Sequence, residues 1–173
     1  MLTRARARAG RAALTIADRA ATAALVAAAA AVVFMTALVT VEVVGRSFFG
    51  VSTLVADEMA GYLLVALTFF GLADSLRAGA FIRVEFVDAW LGEAGRRRLD
   101  AVLLVVAFGY TVFLGWQFWG LAAQSWRFGT TSLQVSRTPI WIPQACMVVG
   151  TTILAVAVVA RLARRLGAGE PVP

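Results

Sequence analysis

The chain has 173 residues, of which 61% are apolar and 15% charged, and sixteen arginines against ten acidic residues give a net charge of +6. Soluble domains carry about 25% charged residues, and a chain this short cannot bury so much apolar surface in one aqueous fold. Histidine is absent and Cys146 is the single cysteine, which excludes histidine-dependent catalysis, histidine-ligated zinc or haem, and an intramolecular disulfide.

Four apolar runs are long enough to supply the roughly 20 helical residues that cross a bilayer core. They predict transmembrane helices at about residues 20–44, 59–76, 101–124 and 142–160. A basic segment, residues 1–19, precedes the first run, which exceeds the roughly 7 to 15 apolar residues of a signal peptide and so predicts a retained anchor. Residues 20–165 are expected to form one four-helix transmembrane domain, followed by a short tail, residues 166–173.

The composition of two runs carries further information. Nine of the twelve residues from Ala20 to Ala31 are alanine, which either allows close helix approach in lipid or reflects a biased genome. The third run carries Trp116, Trp119 and Trp126 towards its far end. Tryptophan is typical of the place where a helix meets the bilayer interface, so we expect all three near that interface.

The segment between the second and third runs, residues 81–91, reads FIRVEFVDAWL. On a helical wheel Glu85 and Asp88 share one narrow wedge, and large apolar residues cover most of the remaining circumference. This pattern predicts an amphipathic helix that lies in the cytoplasmic interface.

The positions of the arginines predict the orientation of the chain. With both termini in the cytoplasm, thirteen arginines lie on the inner side and three on the outer side, namely Arg46, Arg127 and Arg137. The positive-inside rule favours this arrangement over its inverse. Because the arginines form short clusters between apolar runs and not a stripe along one face, topology explains the charge better than nucleic-acid binding does. The sequence thus predicts an all-α membrane protein with four transmembrane helices and both termini cytoplasmic.

Charged side chains lie near the ends of the runs. Glu42 precedes Arg46 by four residues and Asp74 precedes Arg77 by three, spacings that predict two ion pairs on helices. A carrier of ions or protons needs an ionisable group or unwound backbone near the bilayer midplane, and each run is apolar there. The sequence therefore predicts neither a translocation site nor an enzymatic site in this chain.

A series of short motifs runs from the end of the first span to the interfacial segment. In order, it has Arg-x-x-Phe, an acidic pair that opens the second span, an aromatic residue, a glycine, and Leu-Arg-x-Gly-x-x-Ile-x-Val. The residues are Arg46, Phe49, Asp57, Glu58, Tyr62, Gly71, Leu76, Arg77, Gly79, Ile82 and Val84. Together with Pro139, Trp141, Pro143 and Gly150 later in the chain, this order resembles the small membrane subunit of tripartite ATP-independent periplasmic (TRAP) transporters. Ala56 and Phe81 stand where that family often has tryptophan and histidine.

The resemblance implies a non-enzymatic subunit in the bacterial inner membrane. In such transporters a periplasmic binding protein captures a solute, usually a carboxylate, and a large polytopic permease moves it with sodium. The small subunit braces the permease and helps to form the docking surface for the binding protein, which makes Arg46, Arg127 and Arg137 candidate docking residues. The resemblance implies no cofactor in this chain, since sodium coupling belongs to the large subunit, and no nucleic-acid partner.

Two alternatives stay open from the sequence. The small subunit of a tripartite tricarboxylate transporter has a similar size and role, although the Leu-Arg-x-Gly-x-x-Ile-x-Val segment favours the TRAP family. A self-contained small transporter that works as an oligomer would need Glu42 or Asp74 as its coupling group.

Overall fold

The computed structural model describes residues 2–78 and 92–167. Its regular elements are four helices: α1, Leu2–Phe49; α2, Ala56–Arg77; α3, Glu93–Phe128; and α4, Trp141–Gly167. Each contains a stretch long and apolar enough to cross a membrane, namely Leu14–Phe49, Ala56–Arg77, Arg98–Phe128 and Trp141–Arg164. The prediction of an all-helical protein with four candidate spans is confirmed. The predicted interfacial helix at residues 81–91 lies outside the described residues, as do the motif residues Gly79, Ile82 and Val84.

The helices are longer than the predicted spans. α1 begins at Leu2, so the basic segment before the first span continues into the same helix. It ends where Gly50 takes a left-handed conformation with φ 62°, and α3 ends at Gly129 with φ 59°. Glycine adopts this conformation without the steric cost that a side chain brings. Pro143 lies in the first turn of α4, where a proline leaves no hydrogen bond of the helix unmade.

The four helices do not contribute equally to the interior. α4 packs against all three of the others, α2 packs between α1 and α4, and α3 packs mainly against α4. The connections at residues 50–55 and 129–140 lie together at one end of the bundle, which we call the loop end. At the other end, which we call the arginine end, α2 ends at Arg77 and the last turns of α4 carry Arg161 and Arg164.

α1 contacts the bundle along a single stripe. From residue 21 onward the buried or partly buried positions alternate in steps of three and four residues: Ala21, Ala24, Ala28, Ala31, Met35, Leu38, Glu42 and Gly45. The buried Ala17 continues this stripe towards the N-terminus, where Asp18 and Ala20 beside it are also partly buried. This period of 3.5 residues is that of a coiled-coil seam, and alanine lets the helices approach closely in lipid. Helix packing therefore accounts for the alanines on this stripe. It does not account for Ala23, Ala27, Ala29 and Ala30, which are exposed.

α2 and α4 approach most closely at Gly150. A Cβ atom built on Gly150 would lie 2.6 Å from the Cβ of Phe69 and 2.7 Å from its carbonyl oxygen. No side chain fits at this crossing without a shift of the α2 backbone. Beside it, Thr151 of α4 lies against α3, since a Cβ on Gly115 would be 3.6 Å from the Thr151 hydroxyl. Small residues thus bring α4 close to α2 and to α3 at the same level of the bundle.

Candidate functional site

The connection between α1 and α2 is fastened by the carboxylate of Glu42, which occupies the last turns of the α1 stripe and is only 8% exposed. The Ser52 hydroxyl donates to Oε1 over 2.5 Å. The backbone N–H and the hydroxyl of Thr53 donate to Oε2 over 3.1 and 2.6 Å. Arg46 adds a hydrogen bond of 3.2 Å to Oε1. One buried acidic side chain is therefore surrounded by donors from the helix and from the loop that follows it.

These bonds hold the short loop in one conformation. The Val51 N–H returns to the Gly45 carbonyl over 3.2 Å, and Leu54 takes a left-handed backbone conformation with φ 54°. A non-glycine residue pays a conformational cost there and keeps that geometry only where its surroundings impose it. The bonds to Glu42 from Ser52 and Thr53, directly before Leu54, supply that constraint.

The second connection, residues 129–140, is fastened to the start of α2 by Glu58. Its carboxylate accepts hydrogen bonds from the Tyr62 hydroxyl over 2.7 Å and from the Ser136 hydroxyl over 2.5 Å. Ser136 is in turn held by Thr138, whose backbone N–H lies 3.2 Å from the Ser136 hydroxyl. Glu58 thus joins two segments that are 78 residues apart in sequence.

Stabilising the start of α2 is only part of the role of the acidic pair Asp57 and Glu58. Asp57 and Glu58 both lie in the first turn of α2, where negative charge interacts favourably with the helix dipole. Asp57 is exposed, whereas Glu58 faces the second connection. The spacing of serines and threonines around residue 136 is the only signal in the sequence for this contact, and it does not identify Glu58 as the partner.

The three candidate docking arginines all lie at the loop end. The Arg46 side chain is 59% exposed although it bonds to Glu42 and to Ser52. Arg127 lies in the last turn of α3 and is exposed. Arg137 is also exposed and has a left-handed backbone conformation with φ 48°. Three guanidinium groups therefore face outward beside two connections that are each fixed by a carboxylate.

Aromatic and apolar side chains share this surface. Trp126 and Trp141 meet edge to face with their ring centroids 4.8 Å apart, which joins the end of α3 to the start of α4. Leu133, in the second connection, is fully exposed, and Phe49, a residue of the family motif, is 75% exposed at the end of α1. The loop end thus offers a mixed basic and apolar surface, a composition suited to protein contact.

The arginine end carries a second polar cluster, which sequence spacing shows only in part. Asp74 and Arg77 lie 3.7 Å apart on α2. Arg77 also lies 3.6 Å from the Asp18 carboxylate of α1, and Arg164 of α4 lies 2.7 Å from the same carboxylate. Asp18 therefore ties three helices together. Its partners are 59 and 146 residues away in sequence, so helix spacing gives no signal for it.

Four threonines within the spans are engaged locally, whereas the buried side-chain oxygen of Gln144, in the first turn of α4, has no hydrogen-bond partner among the described residues. The hydroxyls of Thr68, Thr111, Thr151 and Thr152 each donate to a backbone carbonyl four residues earlier, at 2.7–2.8 Å. Threonine commonly satisfies its hydroxyl in this way inside a helix. In the described part of the chain, no group of three His, Cys, Asp or Glu side chains is placed to hold a metal ion.

Comparison with known proteins decides the family. The model of the DctQ component of tripartite ATP-independent periplasmic transporters matches residues 35–168, more than three quarters of the chain. The chain belongs to the DctQ family. DctQ is a transporter component and not an enzyme family, and the match begins within α1 and ends beyond α4, so it includes both connections of the loop end. No curated protein and no solved structure matches the chain.

The motif residues have different structural roles in this DctQ component. Arg46 and Glu58 take part in the loop-end bonds, and Arg77 belongs to the arginine-end cluster. Gly71 differs from these, because a Cβ built on it would meet no atom within 4 Å. Packing within this chain does not explain a glycine at that position.

Proposed function

We propose that this DctQ component braces the large permease subunit of a sodium-driven TRAP transporter in the bacterial inner membrane and helps to dock a periplasmic binding protein that delivers a carboxylate solute. The observation that carries the docking proposal is the construction of the loop end. Two short connections are each fixed by a carboxylate, and three arginines are exposed beside them. A fixed surface binds with a smaller entropic cost than one that must be ordered on contact.

The orientation of the chain supports this role. The loop end has three arginines among its helix ends and connections, whereas the arginine end and the N-terminal part of α1 hold most of the others. The positive-inside rule then favours a periplasmic loop end and cytoplasmic termini. A soluble periplasmic partner would meet the loop end and not the arginine end.

The exposed charges of the loop end indicate the kind of partner surface that it would bind. The Glu42 and Glu58 carboxylates are occupied by donors of this chain, while Arg127 and Arg137 are exposed. A partner with acidic groups on its docking face would be attracted to these two arginines, and such complementarity raises association rates and fixes register. Arg46 is available to a partner because it is exposed, and it also donates a hydrogen bond to Glu42.

The bracing role rests on the long apolar helix faces and on the family. The spans carry threonines whose hydroxyls bond their own helices. A self-contained transporter would need Glu42 or Asp74 as its coupling group, and Glu42 is held by the loop that follows it, while Asp74 lies 3.7 Å from Arg77. Movement of the solute and of sodium is therefore assigned to the large subunit.

The test removes charge from the loop end and leaves the Glu42 bonds in place. The double substitution Arg127→Gln with Arg137→Gln is compared with Arg98→Gln. This control removes an exposed arginine at the opposite end of α3 from Arg127. Solute uptake is measured in vesicles that contain both membrane subunits, as a function of binding-protein concentration and with an inward sodium gradient. We expect the double variant to need more binding protein for half-maximal uptake and to reach the wild-type maximum, with Arg98→Gln unchanged.

Two results would contradict the proposal. Wild-type dependence on binding protein in the double variant would remove the docking role. Full uptake without a sodium gradient would remove the sodium-driven assignment. Membrane abundance of each variant, measured in parallel, separates a docking defect from a loss of protein.

A further inference from the structure

Two tryptophans of α3, Trp116 and Trp119, lie well inside the length of the bundle and not at either end of it, whereas tryptophan is usually found at the membrane interface. Phe118 meets Phe69 of α2 edge to face with ring centroids 5.3 Å apart, so residues 116–119 of α3 are level with Phe69. At 1.5 Å per residue, Phe69 is about 20 Å from the first residue of α2 and about 12 Å from the last. α2 is itself about 33 Å long, close to the roughly 30 Å of a bilayer core. Of the three tryptophans that the sequence predicts near the bilayer interface, Trp126 is the one that lies near the end of α3.

Both deep tryptophans point away from the rest of the chain. The side of α3 that faces the bundle repeats every seven residues, at Leu104, Thr111, Phe118 and Ser125. Trp116 lies roughly opposite this stripe at 100° per residue, and it is 75% exposed, with Trp119 65% exposed. They belong to a row of exposed aromatic residues at three-residue intervals, which we call the α3 ridge: Tyr110, Phe113, Trp116 and Trp119.

Hydrocarbon is a poor environment for these indoles. An indole N–H is a donor only, and a donor without an acceptor in an apolar medium is costly. Among the described residues, no acceptor bonds to the N–H of Trp116 or Trp119. Tryptophan prefers the headgroup level because an acceptor and water are available there. At mid-depth the acceptor has to come from another protein.

The area of the ridge fits a protein contact. An aromatic side chain buries about 150 to 250 Å² when it is fully covered, and the four ridge residues are 58–75% exposed. They therefore offer about 400 to 650 Å², at least half of the roughly 800 Å² that each partner contributes to a standard interface. Aromatic residues are also the type most enriched among the residues that dominate binding energy. The outward face of α1 at mid-depth is different, with Val26, Val33 and Phe34 among alanines, a composition that suits lipid.

We infer that the α3 ridge is the surface on which a transmembrane helix of the large permease subunit packs, and that this helix supplies an oxygen acceptor to a deep indole N–H. The inference rests on the proposed bracing function and assigns it to one face of the chain. Residues at three-residue intervals form a ridge that fits the groove between the i±4 rows of a facing helix. The outward face of α1 stays in contact with lipid.

The test reads lipid contact at a single tryptophan. One variant keeps only Trp116, with the four other tryptophans replaced by phenylalanine. The matched control has all five replaced and carries Phe34→Trp on the outward face of α1, where the parent side chain is 60% exposed. Each is placed in vesicles whose acyl chains are brominated near their middle, which quenches the fluorescence of tryptophans that touch lipid at that depth. Fluorescence is recorded for the chain alone and after assembly with the large subunit of its own transporter.

We expect both probes to be quenched in the chain alone. On assembly, Trp116 fluorescence should recover to its level in unbrominated vesicles, while the α1 probe should stay quenched. Equal quenching of Trp116 before and after assembly would overturn the inference and leave the bracing function intact. Protection of Trp116 in the chain alone would assign the ridge to a second copy and would also overturn it.

A second measurement covers the energetics. The pair Trp116→Leu with Trp119→Leu stays apolar and would be neutral in lipid, so it should lower co-purification of the large subunit while Phe34→Leu does not. If the wild-type chain brings down no larger membrane subunit, the bracing function fails and the inference fails with it.

Discussion

The crossing of α2 and α4 at Gly150 gives the sharpest test of the fold. Gly150→Ala adds one methyl group, and its carbon would lie 2.6 Å from the Phe69 Cβ, 2.7 Å from the carbonyl oxygen and 2.8 Å from the carbonyl carbon. Ordinary van der Waals contacts of a Cβ begin near 3.4 Å. The helices must therefore separate by nearly an ångström, because two of the three atoms belong to the backbone and cannot rotate away.

The energetic cost follows from this geometry. Overpacking a close-fitting site costs about 1 to 3 kcal/mol, and the backbone contacts place Gly150→Ala in the upper half of that range. Alanine is favoured over glycine within a helix by about 0.8 to 1 kcal/mol, which offsets part of the cost. The net loss in the free energy of unfolding is about 1 to 2 kcal/mol, or roughly five- to thirtyfold in the unfolding equilibrium.

The matched control is Gly71→Ala, on α2 and two residues from Phe69, where the added Cβ would meet nothing within 4 Å. Unfolding of the isolated chain is followed in mixed micelles by titration with a denaturing detergent. We expect Gly150→Ala to shift the midpoint to lower detergent and Gly71→Ala to leave it unchanged or raise it. If Gly150→Ala were as stable as Gly71→Ala, the close approach of α2 and α4 would be refuted.

Three further changes probe the polar clusters. In Glu42→Gln, an NH₂ group that can only donate takes the place of one of the two carboxylate oxygens that accept four hydrogen bonds, so hydrogen exchange at the Thr53 amide should become faster. Asp57→Asn changes an exposed carboxylate nearby and should leave that exchange rate unchanged. Equal exchange rates in the two variants would contradict the role of Glu42. Ser136→Ala should loosen the second connection and increase its cleavage by an added protease. Ser47→Ala, which changes an exposed serine of α1, is the control. Equally slow cleavage of the two variants would count against the Glu58 contact. Asp18→Asn should lower stability by no more than about 1 kcal/mol, because its ion pairs are partly exposed, and a double-mutant cycle with Arg164→Gln should be non-additive; strict additivity would mean that the pair contributes nothing.

Much of the fold could be predicted because lipid imposes simple rules on sequence. A span needs a long apolar run, and the runs that end near Val44 and begin near Met59 lie within α1 and α2. Local ion pairs are also accessible, since helix geometry fixes which residues are neighbours: the spacing of Glu42 and Arg46 predicted a pair, and the structure has them 3.2 Å apart.

The contacts between distant segments could not be predicted in this way. Asp18 lies in a basic segment from which the sequence predicts only the orientation of the chain, and the fold brings it to Arg77 and Arg164. Glu58 meets Ser136 because α2 and α4 begin at the same end of the bundle, which a single sequence does not reveal. The level of Trp116 along the bundle could not be predicted for a related reason: it follows from the contact of Phe118 with Phe69 of α2, which a single sequence does not reveal.

The two polar fastenings of α1, at Asp18 and at Glu42, are 24 residues apart, which on a straight helix is about 36 Å. That distance slightly exceeds the roughly 30 Å hydrocarbon thickness of a typical membrane, so the two fastenings are far enough apart to lie at opposite headgroup regions. Asp18 joins α1 to α2 and α4, and Glu42 joins it to the loop that leads into α2, so sliding of α1 along its neighbours in a thinner or thicker membrane would break bonds at both ends. The mismatch has to be absorbed by tilt of all four helices together or by deformation of the lipid.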